Sequence, residues 1–216
     1  MKKLITEQDI IDLIKEGATS ITLPKDSLLT PLAKDRINSS KIQVIFGDTE
    51  PKDEFVRAPN DKLVIAIGSD HTGFELKGTI KKEIEKLNHT IIDVGTNSKD
   101  SCDYPDFAIE VGKLTALKKV DFGIMIDATG IPSSITANKI PGIRAATCYN
   151  EFSARSAREH NNANVLVLGA KAIGEETAKS ILSTWFNSSF LGERHQRRLD
   201  KITQLENKFL KRENLS

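Results

Sequence analysis

Two apolar stretches of the sequence are each followed directly by side chains that could bind a ligand or transfer a proton. Asp70 and His71 follow the stretch at 63–68, and Asp127 ends the stretch at 120–127. Asp70 and His71 could position a hydroxylated ligand, or Asp70 could cap a helix with His71 as a bystander, and spacing favours neither interpretation. Asp127 is either a structural cap or a base that faces the ligand.

The segment after Asp127 contains Ala128, Thr129, Gly130, Ile131 and Pro132 and leads into a short predicted helix. A loop of this composition offers backbone N–H groups to an anion, although an ordinary capped turn has the same composition.

A lone histidine is more often structural or solvated than catalytic, but His160 lies among polar residues and not on an apolar face, which modestly strengthens the case for a functional role. Arg194 and Arg198 are four residues apart and therefore share a helix face. Two guanidinium groups on one face suit phosphate recognition, but a solvated basic face is the more common meaning of such a pair. Cys148 ends a predicted strand, where a small buried hydrophobe is more usual than a reactive thiol.

These side chains lie within a pattern in which strands and helices alternate. Apolar runs at 63–68, 90–95, 120–127, 142–148 and 164–169 predict five strands. Helices are predicted at about 73–87, 105–118, 151–160 and 173–187, with a short one through Ala137 and a charged last one at 195–213. Such alternation predicts a parallel sheet covered on both faces, whose ligands bind beyond the carboxyl ends of the strands.

Residues 1–47 form a second, smaller α/β pattern. The apolar residues within 10–14 predict a helix that ends at Gly17, and a second helix is predicted from Leu28 to Ile37. Strands are predicted at 20–23 and 41–47. The polar segment 48–61 contains two prolines and is interpreted as a linker to a main domain at 62–216.

Bulk composition excludes several classes of function. The formal net charge of +1 gives no support to a nucleic-acid or membrane partner. No apolar run approaches the roughly 20 residues of a membrane span, and the first residues do not resemble a signal peptide. Two cysteines and four scattered histidines predict neither a disulfide framework nor a metal site. A cytoplasmic protein without a cofactor is expected.

Six ordered segments together resemble the type B ribose-5-phosphate isomerase and galactose-6-phosphate isomerase family. They are GSDHTGFELK (68–77), IIDVGT (91–96), DYPDFA (103–108), TGI…ITANKIPGIRAA (129–146), SAREHNNANVLVLGA (156–170) and GERHQRRLDKI (192–202). The resemblance implies a Rossmann-like αβα sandwich that isomerises aldose and ketose phosphates, most simply ribose 5-phosphate and ribulose 5-phosphate, without a metal. It also implies a homodimer or tetramer whose active sites are shared across the dimer interface.

The resemblance also implies roles for individual residues. Catalysis would fall to Asp127, Thr129 and His160, with His160 opening the sugar ring. The phosphorylated sugar would be bound by a larger set: Asp70, His71, Tyr104, Ala128, Gly130, Ile131, Pro132, Asn161, Lys171, Arg194 and Arg198. In this set residues 128–132 would form an anion hole for the enediolate, and the two arginines would bind the phosphate, across the interface.

Two residues depart from the pattern of that family. The usual base is a cysteine in a Cys-Gly-Thr-Gly-x-Gly loop, where this chain has Asp127, and Pro132 replaces the last glycine and lacks an N–H. A carboxylate can serve as the proton-transfer base, so an active isomerase is one hypothesis. The other is a non-catalytic subunit that binds sugar phosphate beside a cysteine-bearing paralogue, as in heteromeric galactose-6-phosphate isomerase.

Residues 1–47 lie outside this resemblance. They are similar to short N-terminal segments of bacterial-microcompartment enzymes, which implies a role in assembly or encapsulation with microcompartment components as partners. A family-specific extension for oligomerisation is the alternative.

Overall fold

The computed structural model describes residues 4–8, 10–11, 20–24, 27–40, 43–47 and 62–210. The chain forms two compact units, Met1–Asn60 and Asp61–Ser216. The predicted linker at 48–61 and most of the predicted helix that ends at Gly17 lie outside the described residues.

The described residues of the first unit include two pairs of parallel strands and a helix at 31–40, and residues 7–8 and 10–11 are also helical, within the segment where a first helix was predicted. Strand β1 (Leu4–Ile5) pairs with β3 (Leu28–Leu29), and β2 (Ser20–Pro24) pairs with β4 (Gln43–Gly47). Helix α1 (Pro31–Ser40) begins three residues later than predicted, because residues 28–29 belong to β3. Proline suits the first turn of a helix, where its missing N–H would have no partner. Ile5, Ile10 and Ala33 are buried together.

In the second unit strands and helices alternate as predicted, with boundaries that differ by a few residues. The strands are β5 (Val64–Ser69), β6 (Thr90–Asp93), β7 (Phe122–Asp127), β8 (Ala145–Thr147) and β9 (Val165–Gly169). The helices are α2 (Phe74–Lys86), α3 (Tyr104–Ala116), α4 (Ile131–Ala137), α5 (Glu151–Asn161), α6 (Glu175–Phe186) and α7 (Glu193–Leu210).

The five strands of the second unit form one parallel sheet in the order β6-β5-β7-β9-β8. One face packs on α2, α5 and α6 through a cluster that includes Ile80, Ala157 and Ile181. The other face packs on α3 and α4 through a cluster that includes Val111 and Ala137. The predicted Rossmann-like αβα sandwich is confirmed, and β7 lies at its centre.

An arginine is buried where α5 meets β9. The Arg158 guanidinium carbon lies 4.5 Å from the ring centre of Phe122 and 5.5 Å from that of Trp185, which is fully buried. Burial lowers the pKa of Arg158 to about 10. Its Nη1 donates to the backbone oxygen of Ala163 at 2.7 Å. These contacts fix the turn that follows α5.

Helix α7 is attached to the rest of the second unit at two places. Leu199 is buried near its start, and further along both carboxylate oxygens of Glu206 accept the N–H of Gly142, at 3.0 and 3.1 Å. Within the part of the chain that the structure describes, no helix has the length and apolar character needed to cross a membrane.

Candidate active site

Asp127 ends the central strand β7, and its side chain is only 1% exposed. Its Oδ1 accepts the backbone N–H of Thr129 at 2.8 Å and that of Gly130. Its Oδ2 accepts the N–H of Ser133 at 3.0 Å. Because a carboxylate has about four acceptor positions, one on Oδ2 stays free. The carboxylate thus caps the loop that the sequence singled out as an anion hole.

The conformation of this loop requires a glycine at its centre. Gly130 has φ of +82°, and a Cβ atom added there would lie 2.6 Å from Cγ2 of Thr147. The Thr147 hydroxyl also donates to the Gly130 oxygen at 3.0 Å. The loop is therefore held by β8 as well as by its own carboxylate.

Asp70 also caps its own turn, at the end of the neighbouring strand β5. Its Oδ1 accepts the N–H and hydroxyl of Thr72 at 2.9 and 2.6 Å and the N–H of Gly73 at 3.1 Å. The Asp70 N–H donates to the oxygen of Ile126 at 3.3 Å, which places this turn directly beside Asp127. Asp70 thus caps the turn that precedes α2 and not the helix itself, which begins after Gly73 without a side-chain cap.

His71 is paired with a residue that the sequence analysis did not select. Its Nδ1 accepts the backbone N–H of Cys102 at 3.3 Å and lies 3.9 Å from the Cys102 Sγ. Because Nδ1 is an acceptor, the neutral ring carries its proton on Nε2, which can donate to a ligand oxygen. No pattern in the sequence connects these two residues, which are 31 positions apart.

Two further predicted residues lie at the carboxyl edge of the sheet. Tyr104 is half-buried at the start of α3, and Lys171 is exposed after β9. The backbone N–H of Lys171 donates to the oxygen of Ala128 at 2.9 Å. The edge therefore gathers Asp70, His71, Tyr104, Lys171 and the loop 127–132.

The remaining predicted residues form a second cluster, made by α5 and α7. The rings of His160 and His195 are stacked in parallel with centroids 4.5 Å apart. Arg194 Nε donates to His195 Nε2 at 3.3 Å, and Arg198 lies one turn further along α7. Both arginines are exposed. A half-buried histidine and two exposed arginines thus lie close together, an arrangement that could bind a phosphate group.

His195 was not among the predicted site residues. It is 5% exposed, and its pKa is lowered, first by burial and then by the nearby His160, Arg194 and Arg198. A neutral His195 can stack on His160 without adding charge to the cluster. Only the tertiary packing of α7 on α5 reveals this pair.

Asn161 belongs to the same cluster and is fixed by its backbone. Its oxygen accepts from Arg144 Nε at 3.1 Å, and its side-chain amide donates to the oxygen of Ser156 at 3.1 Å. The Ser156 hydroxyl is 3.2 Å from Nδ1 of His160. These contacts orient the end of α5.

The two clusters lie at opposite ends of the sheet. Helix α5 starts at the carboxyl edge with Glu151 and reaches His160 nine residues later, a rise of about 13 Å in an α-helix. His160 therefore lies roughly this far along α5 from the carboxyl edge, where the loop 127–132 lies. Among the described residues no group of three or more His, Cys, Asp or Glu could hold a metal ion.

Comparison with known proteins shows which proteins the second unit resembles. The family model described as Ribose/Galactose Isomerase matches residues 65–202. A putative sugar phosphate isomerase of Bacillus subtilis is 42% identical over 149 residues, which are 68% of this chain and 100% of that protein. Ribose-5-phosphate isomerase B of Escherichia coli is 43% identical over 142 residues, which are 66% of this chain and 95% of that protein.

Solved structures agree with these sequence relatives. Ribose-5-phosphate isomerase B of Clostridium thermocellum superposes with a TM-score of 0.67 at 45% identity, covering 68% of this chain and 99% of that one. The enzyme of Thermotoga maritima gives a TM-score of 0.65 at 44% identity, covering 67% and 99%. The sheet, the helices and the ordered motifs at the strand ends agree with these matches, and the chain belongs to the Ribose/Galactose Isomerase family.

Proposed function

We propose that this chain is an aldose–ketose isomerase that interconverts ribose 5-phosphate and ribulose 5-phosphate. The carrying observation is the cluster of His160, Arg194 and Arg198, which joins an acid–base group to two exposed guanidinium groups. Relatives named ribose-5-phosphate isomerase B support the choice of substrate.

We propose further that each site is shared between two copies of the chain. The carboxyl edge of one copy would supply Asp127, and the second copy would supply His160 and the arginines. Exposed apolar side chains flank both clusters, as an isologous interface requires. Ile131 on α4 is 53% exposed beside the loop 127–132. Ile202 on α7 is 54% exposed one turn beyond Arg198, and it lines a groove of about 620 Å³.

In the proposed reaction the two arginines bind the phosphate. His160 takes the proton of the C1 hydroxyl and donates a proton to the ring oxygen, which opens the sugar ring. Asp127 then takes the C2 proton on the free position of Oδ2, and the C2–H electron pair forms the enediolate. The proton on Asp127 can exchange with water while the enediolate persists, and a proton is then delivered from Asp127 to C1. The proton of the C2 hydroxyl moves to O1, which completes the ketose. Since Asp127 is almost fully buried, the loop must move slightly before Oδ2 reaches the sugar.

The burial of Asp127 favours a second candidate function. A carboxylate that is saturated by its own loop suits a subunit that binds sugar phosphate without turning it over, partnered by a cysteine-bearing paralogue. A galactose-6-phosphate isomerase subunit is one form of this arrangement.

Turnover decides between the two functions. The purified chain is assayed with ribose 5-phosphate and galactose 6-phosphate, and exchange of the C2 hydrogen with deuterated water is followed in parallel. Asp127→Asn should abolish both signals while sugar-phosphate binding is retained. Asp121→Asn is the matched control, since this carboxylate also accepts a backbone N–H, from Val64, but at the opposite edge of the sheet. Binding without any C2 exchange by the wild-type chain would refute the isomerase.

For residues 1–47 we propose a role in assembly or encapsulation. Deleting residues 1–61 should leave turnover unchanged and alter only the size of the assembly, measured by light scattering. A loss of turnover in a deleted chain that remains folded would contradict this role.

A further inference from the structure

We infer that the Asp127 carboxylate is itself the anion bound by the backbone N–H groups of the loop 129–133. These N–H groups orient the base, and none of them is available to a negatively charged oxygen of the substrate. The inference rests on the proposed function for the identity of the ligand. The sequence pattern alone implied the reverse, an anion hole open to the enediolate.

Every backbone N–H of the loop 129–133 already has a partner or is missing. Three of them donate to the Asp127 carboxylate: those of Thr129, Gly130 and Ser133. Ile131 donates to Oγ1 of Thr129 at 3.3 Å, and Pro132 has no N–H. No backbone N–H of these five residues is left for a ligand.

The loop is also prevented from turning its donors outward. Gly130 has a left-handed conformation and packs against Thr147 and the backbone of β9. Lys171 holds the preceding turn through its bond to the oxygen of Ala128. Releasing the N–H groups would leave a buried carboxylate without donors, which is costly.

A substrate oxyanion brought to this loop would therefore meet a carboxylate at contact distance. Like charges repel strongly in a buried site. The chain should bind a phosphorylated sugar through its phosphate and hydroxyl groups, with no added affinity when negative charge appears near C1 and C2. This property distinguishes an Asp127 chain from one in which the loop donors are free.

Two probes separate these cases. Ribitol 5-phosphate has the phosphate and hydroxyl groups but no carbonyl, and erythronic acid 4-phosphate has a planar carboxylate that imitates the enediolate. Calorimetry on the full-length chain should give dissociation constants for the two that agree within about threefold. In Asp127→Ser the acid should gain at least about tenfold relative to the polyol, since a hydrogen bond to a charged group contributes that much. Asp121→Ser should keep the wild-type ratio.

A preference of the wild-type chain for the acid of more than about thirtyfold would overturn the inference, as would an unchanged ratio in Asp127→Ser. Amide hydrogen exchange of Gly130 and Ser133 provides a readout without ligand. Both amides should exchange slowly in the wild type and quickly in Asp127→Ser, and fast exchange in the wild type would also overturn the inference. If neither probe binds the wild type while these amides stay protected, the proposed function fails and the inference about the loop stands.

Discussion

The two clusters of the site can be disabled separately, and mixing the resulting variants tests whether a site is shared between copies. Asp127→Asn impairs the carboxyl edge, and the double substitution of Arg194 and Arg198 by alanine impairs the other cluster. In a two-fold symmetric dimer built from one copy of each, one site combines both defects and the other is intact. Because random pairing makes half of the dimers mixed, an equal mixture should recover about a quarter of the wild-type turnover.

This expectation follows from the distance between the clusters, about 13 Å along α5 from its first residue to His160. The two variants are unfolded together, refolded as a mixture and assayed with ribose 5-phosphate. Asp127→Asn refolded with His71→Ala is the control, since both defects lie in the same half and no turnover should return. Absence of recovery in purified mixed dimers would refute the shared site.

Three further outcomes follow from local geometry. Gly130→Ala should lower the free energy of unfolding by about 2 kcal/mol or more in urea titrations, because an L-residue is strained at φ +82° and its Cβ meets β8. The control is Gly78→Ala, in an open helical position, which should raise the free energy of unfolding by about 0.5–1 kcal/mol. Burial lowers the pKa of His89, so its contribution to stability is full above the unfolded value near 6.5 and is lost as the pH falls below it. The free energy of unfolding should therefore decrease between pH 7.5 and 5, and His89→Asn should reduce this decrease. Burial raises the pKa of Cys148 to about 11. Iodoacetamide at pH 8 should therefore modify Cys102 in the folded chain and Cys148 only after unfolding, as measured by mass spectrometry. Equal labelling of the two cysteines in the folded chain would contradict the burial of Cys148.

The sheet could be predicted because its strands are apolar runs with clear boundaries. In β7 and β9 nearly every residue is buried, so the runs in the sequence correspond to strands that are covered on both faces. The prediction for the first unit was less accurate, because Leu28 and Leu29 fit a helical pattern but form a strand that pairs with β1. Pro31 marked the true start of the helix.

The site was predicted as a set of residues but not as a geometry. Sequence left Asp127 as a cap or a base, because its partners depend on the left-handed conformation of Gly130. The stacking of His160 on His195 and the contact of His71 with Cys102 join residues that are more than 30 positions apart. Such contacts depend on helix packing and loop closure, which local patterns do not encode.

The buried ring of Trp185 gives the chain an optical reporter of its own. It is the sole tryptophan of the sequence, and it lies inside the core of the second unit next to Phe122 and Arg158. Its emission should shift to the red when that core opens to water. Unfolding confined to residues 1–60 should leave the emission unchanged. Fluorescence and circular dichroism recorded on the same sample would therefore separate the melting of the isomerase fold from that of the first unit.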